Sequence, residues 1–412
     1  MNIVSVCEKP QVIKFRPQEE CAPVPAIIKV ISAGGGGANA LNRIIGTGHS
    51  EVQYFAVNTD IQDLYNKSKA KTKVQIGAKL TGGRGAGGKP EVGEKAAMED
   101  REKIMEMLSG ADMIFITACM GGGTGTGSAP VIAEIAKELG ILTVAVVTTP
   151  FDFEGRYKMK IAKAGIDKLR PVVDTLIVIP NQYLFKIVDC NTSLDDAYLI
   201  ADEVLCRGVL AISDLITKTG FKNTDFADVE TIMRGQGDAL MGIGSGSGGS
   251  RAKDAVAQAI DNPLLEDTSL DGATGILVNI AGPKGITLVE IEEMIKTIKE
   301  KCDPEVNIIH GVRIDPELDN SIHITVIATG FKSTRAAQSN LPCEKKKEPD
   351  FINFEEYVKI RERTKNPPYL SYLPQREYQD DLDFPSVLRN HDYKAEEKKE
   401  SGSDKYFKEK AE

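Results

Sequence analysis

The sequence has no closely paired cysteines and no clustered histidines. Its seven cysteines stand far apart, at positions 7, 21, 119, 190, 206, 302 and 343, and its four histidines are equally dispersed. An odd number of separated cysteines is typical of free thiols in a reducing cytoplasm and argues against a disulfide scaffold. Because zinc sites need several Cys or His ligands at short spacing, the sequence predicts no such metal centre.

Long apolar runs are absent too. No stretch of the 412 residues reaches the length of a membrane span, and the N-terminus does not place a basic segment before an apolar core, as a signal peptide does. We therefore expect a cytoplasmic location and no direct membrane insertion. The net charge of −9 disfavours a general nucleic-acid binder, so nucleic acid is not an expected partner.

Glycine, in contrast, is concentrated in loops. The segment GGGTGTG, residues 121–127, follows the apolar run 113–116 and precedes a helix-like stretch. Its glycines leave backbone amides unobstructed by Cβ atoms, the helix N-terminus adds a positive dipole, and Thr124 and Thr126 supply hydroxyl groups. This arrangement predicts a phosphate-binding site.

Two further glycine-rich loops bear on which phosphate ligand is bound. The GxGxxA pattern at 35–40 follows a buried strand, and the next strand ends at Asp60, so this motif alone also fits a dinucleotide-binding dehydrogenase. Residues 83–89, GRGAGGK, imitate a P-loop, but we reject this match because Pro90 stands where Ser or Thr would hold Mg²⁺. Together the loops offer more phosphate-binding backbone than a pyrophosphate needs, which favours a triphosphate.

The order of apolar strand runs and helix patterns predicts an α/β fold. We expect a Rossmann-like parallel-sheet domain, a long central helix and a second α+β domain. In the second domain, helix-like residues 225–240 lead into GIGSGSGGS, residues 242–250, which we interpret as a plain surface loop. The predicted divisions are an N-terminal arm 1–25, a phosphate-binding domain 26–190, the central helix 191–220, the second domain 221–330, a flexible linker 331–379, an apolar peptide 380–390 and a charged tail 391–412.

Several segments together carry a resemblance to a known family. They are GGGGANALNRI, NTD at 58–60, GAGGKPEVG, TACMGGGTGTGSAP, PFDFEG at 150–155, IPN at 179–181, NTDFADV at 223–229 and DDLDFPSVLR near the end. In this order they resemble bacterial FtsZ, the tubulin-like GTPase of cell division, over residues 26–330 and again in the terminal peptide. The pairing of GGGTGTGSAP with NTDFADV is far more specific than an isolated GxGxxG.

The resemblance implies a pocket for GTP and GDP. Glu154 is implied at the ribose, Tyr198 and Asn181 at the guanine, and Asp202 as an acceptor for guanine N–H groups. Lys158 stands where the family usually has Arg, which keeps the charge but loses the planar fork. Mg²⁺ is implied as an ion carried by the nucleotide, no protein metal site is assigned, and a K⁺ requirement stays open. The implied pocket residues are Gly35, Gly36, Gly37, Ala38, Asn39, Asn58, Asp60, Gly121, Gly122, Gly123, Thr124, Gly125, Thr126, Gly127, Glu154, Lys158, Asn181, Tyr198 and Asp202.

The resemblance also implies a catalytic loop that a second subunit supplies. Asn223, Asp225 and Asp228 correspond to this loop, although the two acids considered alone also suit an N-cap and a first-turn position. One subunit binds GTP, and the next places Asp225 and Asp228 over the γ-phosphate to orient the attacking water, with Asn223 assisting. We therefore expect head-to-tail self-assembly and a GTPase activity that polymerisation activates.

The terminal peptide resembles the FtsZ segment that docks on membrane tethers such as FtsA and on division regulators. Its implied contact residues are Asp381, Leu382, Phe384, Pro385 and Leu388. The resemblance thus implies a role in the division ring at midcell, on the inner face of the membrane. A tubulin-like filament protein with a non-division role and a Rossmann dehydrogenase are the alternatives. The tail 391–412 is either a modulator of these contacts or an inert solubilising segment.

Three positions depart from the family pattern. Ala38 stands where the family often has Asn, Cys119 where it usually has Gly, and Ser32 where another Gly is common. Because the backbone donors remain, we expect these changes to alter affinity or turnover without abolishing nucleotide binding.

Overall fold

The strands of the described chain form one sheet of ten strands, flanked by helices. The computed structural model describes residues 26–49, 51–184, 192–217, 225–262, 270, 272–315 and 318–331. The predicted arm 1–25, most of the linker, the terminal peptide 380–390 and the tail 391–412 lie outside the described residues, as does Asn223.

The strands and helices are listed here with the labels used below. The strands are β1 (Ile28–Ala33), β2 (Gln53–Asn58), β3 (Thr72–Gln75), β4 (Met113–Cys119), β5 (Leu142–Thr149), β6 (Thr175–Pro180), β7 (Gly237–Ser247), β8 (Gly275–Gly282), β9 (Asn307–Ile314) and β10 (Ser321–Thr329). The helices are α1 (Gly34–Gly46), α2 (Ile61–Asn66), α3 (Ala78–Thr81), α4 (Pro90–Glu99), α5 (Arg101–Leu108), α6 (Thr124–Glu138), α7 (Arg156–Leu169), α8 (Asn181–Leu184), α9 (Leu194–Thr217), α10 (Phe226–Met233), α11 (Arg251–Ile260) and α12 (Leu288–Lys299).

The first six strands make the parallel half of the sheet, in the order β3-β2-β1-β4-β5-β6. Every residue of β1 and β5 is buried, because helices cover both faces of the sheet. One apolar core lies on the α1 and α9 side, and the other lies on the side of α5, α6 and α7. The predicted Rossmann-like domain is thus confirmed.

The second half of the sheet is mixed. Strand β7 pairs parallel with the start of β6, then antiparallel with β10, which in turn pairs antiparallel with β8, and β9 closes the sheet parallel to β8. Helices α11 and α12 cover a third apolar core on this half. The predicted α+β second domain is therefore present, and its strands continue the first sheet.

The predicted long central helix is α9. It begins at Leu194 and runs to Thr217, which gives a length of about 36 Å at the usual rise per residue. Its middle and end are buried, and the side-chain amide of Asn279 in β8 donates a hydrogen bond to Ala211 O. Helix α9 therefore connects the parallel and mixed halves. None of the helices within the described residues is both long enough and apolar enough to cross a membrane.

The expectation for residues 225–250 was wrong in two respects. Helix α10 ends at Met233 instead of continuing to Leu240, because Gly235 and Gly237 adopt left-handed φ angles of +67° and +73°. Residues 242–247 of the segment taken for a surface loop belong to β7, in the interior of the sheet, and Gly248–Ser250 form a short 3-10 turn before α11. Its glycines hid the strand pattern, since a residue without a side chain contributes nothing to apolar alternation.

These glycines are required by the close approach of α11 to β7. A Cβ atom at Gly246 would lie 2.1 Å from Arg251 O, and one at Gly244 would lie 1.9 Å from Ala255 O. The backbone of the helix thus rests directly on the strand, so any side chain on this face of β7 would force the two apart.

We predict that Gly246→Ala lowers the free energy of unfolding by about 3 kcal/mol, because its Cβ must displace helix backbone. Urea unfolding followed by circular dichroism measures this change. Gly249→Ala is the matched control: a Cβ there meets nothing within 4 Å among the described residues. It should change stability by less than about 0.5 kcal/mol. Equal stability of the two variants would refute the packing argument.

Candidate functional site

The predicted pocket residues collect at one edge of the parallel strands. The first glycine loop follows β1, the NTD segment follows β2, and the signature loop follows β4. Phe151 and Glu154 come after β5, and Asn181 follows β6 directly. Because the strands are parallel, their carboxyl ends all meet at this edge. The order reverses between β1 and β4, which is where ligands bind in such sheets.

The first loop and the signature loop pack backbone against backbone. A Cβ at Gly37 would lie 2.5 Å from Thr117 O in β4, and one at Gly125 would lie 2.8 Å from Ala33 O in β1. Gly34 has a left-handed φ of +77°, and its Cβ would lie 2.8 Å from Gly125 N. This contact brings the N-termini of α1 and α6 side by side, so their amides and dipoles converge on one small region.

Side chains fix the shape of the signature loop. The hydroxyl oxygen of Thr126, a buried residue, accepts a hydrogen bond from Gly121 N at 2.9 Å, so this hydroxyl braces the loop. Thr124 is partly exposed, and its hydroxyl lies 2.6 Å from that of Thr59. Gly122 is the exposed glycine of the loop. The others are buried, and a Cβ at Gly127 would lie 2.1 Å from Pro90 O, so packing against α4 explains that glycine.

The segment after β2 is tied together by its own polar groups. The carboxylate of Asp60 accepts hydrogen bonds from Gln62 N and Asp63 N and thereby caps α2. The amide of Asn58 donates to Asp63 Oδ2 at 3.0 Å. Since Asp60 serves as the cap, it is poorly suited to bind a dinucleotide ribose, which weighs against the dehydrogenase alternative.

Asp63 is a site residue that sequence reasoning missed. Its Oδ2 lies 2.6 Å from the position that a Cβ on Gly35 would take, so the carboxylate borders the first glycine loop. Its other oxygen pairs with Lys67 at 2.7 Å. The only signal in the sequence was its position three residues after the NTD segment. The rejected P-loop segment also contributes, since a Cβ at Gly123 would lie 2.9 Å from Lys89 N.

The predicted ribose acid and the cation near it form an ion pair. Glu154 Oε2 lies 3.1 Å from Lys158 Nζ, and Glu154 Oε1 accepts a hydrogen bond from Phe151 N. The ring of Phe151 also contacts Tyr198 edge to face, with the ring centroids 5.4 Å apart. This contact brings the amino end of α9 to the carboxyl edge of β5, and Tyr198 stays 39% exposed on this side.

Two polar groups beside Tyr198 are suited to a ligand with hydrogen-bond donors. The side-chain oxygen of Asn181 is buried and has no hydrogen-bond partner among the described residues. Such an atom is costly unless a ligand or water satisfies it. Burial raises the pKa of Asp202 to about 6, and the charge of Arg43 acts in the opposite direction. Arg43, on α1, is a second residue that sequence reasoning did not select.

The two predicted catalytic acids lie elsewhere. Asp225 and Asp228 are exposed at the start of α10, and the side chain of Asp225 makes no capping hydrogen bond to α10 as described. The other end of α10 lies at the amino edge of the sheet, where the hydroxyl of Thr175, the first residue of β6, donates to Met233 O. Asp225 thus occupies the N-cap position without capping through its side chain, and Asp228 lies in the first turn.

The direction of α9 separates the acids from the glycine loops. Near its start, Tyr198 contacts Phe151 at the carboxyl edge of the parallel strands. Near its end, Asp214 pairs with His49, which lies between α1 and the amino end of β2. The helix thus crosses the sheet from one edge to the other, and the chain continues from its far end to Asp225. Within one chain, the glycine loops lie at the carboxyl edge, whereas the end of α9 and the far end of α10, the helix that carries the acids, lie at the amino edge.

A glycine-lined cradle at the switch point of a Rossmann-type sheet, joined by a long helix to a mixed second domain, defines the tubulin-like class of nucleotide-binding proteins. The model of the Tubulin/FtsZ family GTPase domain matches residues 27–189, and that of the FtsZ family C-terminal domain matches residues 237–332. The chain belongs to the Tubulin/FtsZ family, and it is a GTPase.

Solved structures agree with this assignment. The chain is similar to an empty FtsZ dimer from M. jannaschii, with 47% identity and a TM-score of 0.72, over 75% of this chain and 90% of that chain. GDP-bound CetZ1 from Haloferax volcanii is 20% identical, with a TM-score of 0.65, over 82% of this chain and 99% of that chain. A GTPγS-bound protofilament of CetZ2 from Haloferax volcanii is 21% identical, with a TM-score of 0.63, over 76% and 96%. The CetZ likenesses show the fold alone.

Cys119 and Gly36 are coupled in this site. A Cβ at Gly36 would lie 2.6 Å from Cys119 Sγ, so the thiol occupies the space beside the first turn of α1. Burial raises the pKa of Cys119 to about 11, so the side chain is a neutral thiol. The family usually has Gly at position 119, and in this chain the Cys119 thiol fills the space that a side chain at position 36 would need.

We predict that Gly36→Ala weakens GTP binding at least about tenfold, or 1.4 kcal/mol, because its Cβ overlaps the thiol and shifts the loop. Adding Cys119→Gly removes the overlap and should return the affinity to within about threefold of Cys119→Gly alone. Calorimetric titration with GTP on the four proteins of this cycle measures the coupling. Additive effects would mean that the two positions are independent. Unchanged affinity and turnover in Cys119→Gly would show that residue 119 does not tune the site.

Proposed function

We propose that this protein is a self-assembling GTPase whose active site is completed between two subunits. The separation of the glycine loops from the end of α9 and from the far end of α10, the helix that carries the acids, supports this proposal. Head-to-tail stacking brings the amino edge of one subunit onto the carboxyl edge of the next, so that Asp225 and Asp228 reach the neighbour's nucleotide. The relatives described as an FtsZ dimer and a CetZ2 protofilament support assembly of this kind.

In the proposed reaction, the backbone amides of the two glycine loops and the N-termini of α1 and α6 hold the phosphates. Mg²⁺ carried by the nucleotide would neutralise part of the phosphate charge. Within the described part of the chain, no three His, Cys, Asp or Glu side chains gather in a way that could hold a metal ion. Water attacks the γ-phosphorus while the bond to the β–γ bridging oxygen breaks, which yields GDP and phosphate. Asp225 and Asp228 orient that water, assisted by Asn223.

Residues on α9 and next to it supply the proposed contacts to the base and the sugar. Tyr198 stacks on guanine, and the unsatisfied oxygen of Asn181 accepts a hydrogen bond from it. Asp202 accepts from the ring N–H and the amino group, a donor pair that adenine lacks. Glu154 binds the ribose, and Lys158 holds Glu154 through their ion pair. These contacts explain a preference for GTP.

We further propose that the filaments act in cell division. The peptide 380–390, with Leu382 and Phe384 as apolar contacts, would bind a membrane tether of the FtsA kind and place the filament at midcell on the inner face of the membrane. The 47% identity to FtsZ over three quarters of the chain favours this role. A filament with a non-division role is the second candidate, because the fold is shared with CetZ proteins.

The concentration dependence of GTP turnover tests the shared site. We expect the rate per subunit to be near zero below a threshold concentration and to rise above it, together with pelletable polymer, because a single chain lacks the acids at its own nucleotide. Asp228→Ala should still bind GTP and assemble, while turnover in the polymer falls about a hundredfold or more. A constant rate per subunit without polymer would place the whole site in one chain and end the proposal.

The raised pKa of Asp202 predicts that GTP binding depends on pH. Guanine donates to the ionised carboxylate, so below pH 6 binding must first release the proton that the empty site holds. Affinity should be flat above pH 6 and fall about tenfold for each pH unit below it. Asp202→Asn should bind GTP more weakly, and its affinity should show no such slope between about pH 5 and 7. Fluorescent GTP titrations on monomer give both curves, and parallel curves for the two proteins would exclude Asp202 as the guanine acceptor.

A further inference from the structure

A pair of hydroxyl groups joins two of the loops at the carboxyl edge of the sheet. Thr59, in the NTD segment after β2, is completely buried. Its hydroxyl oxygen lies 2.6 Å from that of Thr124, the first residue of α6. Among the residues that the structure describes, Thr124 is the one hydrogen-bond partner of the Thr59 hydroxyl. The contact therefore links the NTD segment directly to the signature loop.

Thr124 carries the hydroxyl of the signature loop that a bound phosphate can reach. Thr126 is 2% exposed, and its hydroxyl oxygen accepts the hydrogen bond from Gly121 N inside the loop. Thr124 is partly exposed and stands at the N-terminus of α6, where the free amides and the helix dipole favour an anion. Of the two loop threonines, Thr124 is therefore the one suited to contact a phosphate.

The number of protons limits how the two hydroxyls can be arranged when a phosphate is bound. Each hydroxyl has one proton to donate, whereas ionised phosphate oxygens can only accept. Thr124 must therefore donate its proton to the phosphate, and it keeps its contact with Thr59 by accepting a hydrogen bond from it. Because a buried hydroxyl without a partner is costly, this arrangement also satisfies Thr59. Hydrogen bonds in such a chain strengthen one another.

The segment that imitates a P-loop contacts the backbone next to both threonines. Gly85 N donates a hydrogen bond to Thr59 O, with 3.4 Å between the two atoms. A Cβ at Gly123, which directly precedes Thr124, would lie 2.9 Å from Lys89 N. The two ends of the segment thus pack against the two loops that the hydroxyl pair joins. Its glycines allow this close packing, which gives the segment a role other than that of a P-loop.

We propose that Thr59 is a positioning residue for nucleotide binding, whose hydroxyl directs that of Thr124 toward a phosphate oxygen. This assignment rests on the proposed function, because it takes Thr124 as a phosphate contact. Since Thr59 is completely buried, it does not touch the nucleotide, and its effect on binding passes through Thr124.

GTP titration of the full-length Thr59→Val monomer, below the assembly threshold, tests the inference. Valine keeps the shape of the side chain without its hydroxyl, so we expect about fivefold weaker binding, the usual effect of one neutral hydrogen bond. Thr59→Ser keeps the hydroxyl and should bind GTP within about twofold of the wild type. Thr143→Val is the matched control, because this buried threonine also loses one hydroxyl hydrogen bond, to Ile141 O at the amino edge. Its GTP affinity should be unchanged.

A double-mutant cycle with Thr124→Val shows whether Thr59 acts through Thr124. Thr124→Val should weaken GTP binding at least about tenfold, because it removes a hydrogen bond to a charged group. Adding Thr59→Val should then cause no further loss, since no hydroxyl is left to orient. The double variant should also unfold at a higher temperature than Thr124→Val, because the buried hydroxyl that had lost its partner is gone.

The outcomes separate this inference from the proposed function. If Thr124→Val weakens binding but Thr59→Val does not, or if the two losses are additive, the inference is overturned and the proposed pocket stands. A Thr59→Ser variant that binds as weakly as Thr59→Val would overturn it too. Wild-type affinity of Thr124→Val would instead contradict the proposed phosphate contact, and the inference with it. Thr59→Ala replaces Thr59→Val in the cycle if the latter proves unstable in thermal unfolding.

Discussion

The close approach of bare backbone between the ends of β1 and β4 is the constraint on which the rest of this structure depends. Gly37 against Thr117 O and Gly125 against Ala33 O leave no room for a single added carbon. Because the two loops touch in this way, two helix N-termini point at one region, where backbone amides can hold a phosphate group without the lysine of a P-loop. Thr126 and the caps of α2 then hold neighbouring segments to this contact.

Helix α9 runs from the edge of the sheet where the glycine loops meet to the opposite edge. Its first turns contribute Tyr198 and Asp202 to the nucleotide side, and its last turns hold Asp214 among groups from α1, β2 and β9. The middle and end of this helix are buried, so its end cannot shift without disturbing the apolar packing around it.

Much of the fold could be predicted because buried parallel strands are continuous apolar runs, as in β4 and β5. The failures have equally physical causes. Strand β7 was taken for a loop, because Gly244 and Gly246 have no side chains that could show the alternation of a strand. They have none because the backbone of α11 packs directly on them. Asp63 and Arg43 were overlooked because their relevance depends on which loop or helix lies opposite. The pairing of Glu154 with Lys158 joins two predicted residues in one contact, although each was assigned separately. The individual roles of the pocket residues stay predictions.

The sequence by itself determined the order of the parallel strands and their helices, the glycine loops and the family, because these depend on local patterns of apolar residues and on motifs of fixed spacing. Only the tertiary structure decided that the glycine loops lie at one edge of the sheet, whereas the end of α9 and the far end of the helix that carries the acids lie at the other. It also decided that β7 joins the two halves, that Cys119 fills the space beside Gly36, and that His49 and Arg313 approach one carboxylate. Such facts depend on distances between residues far apart in the chain, and those distances arise only when the sheet and helices pack.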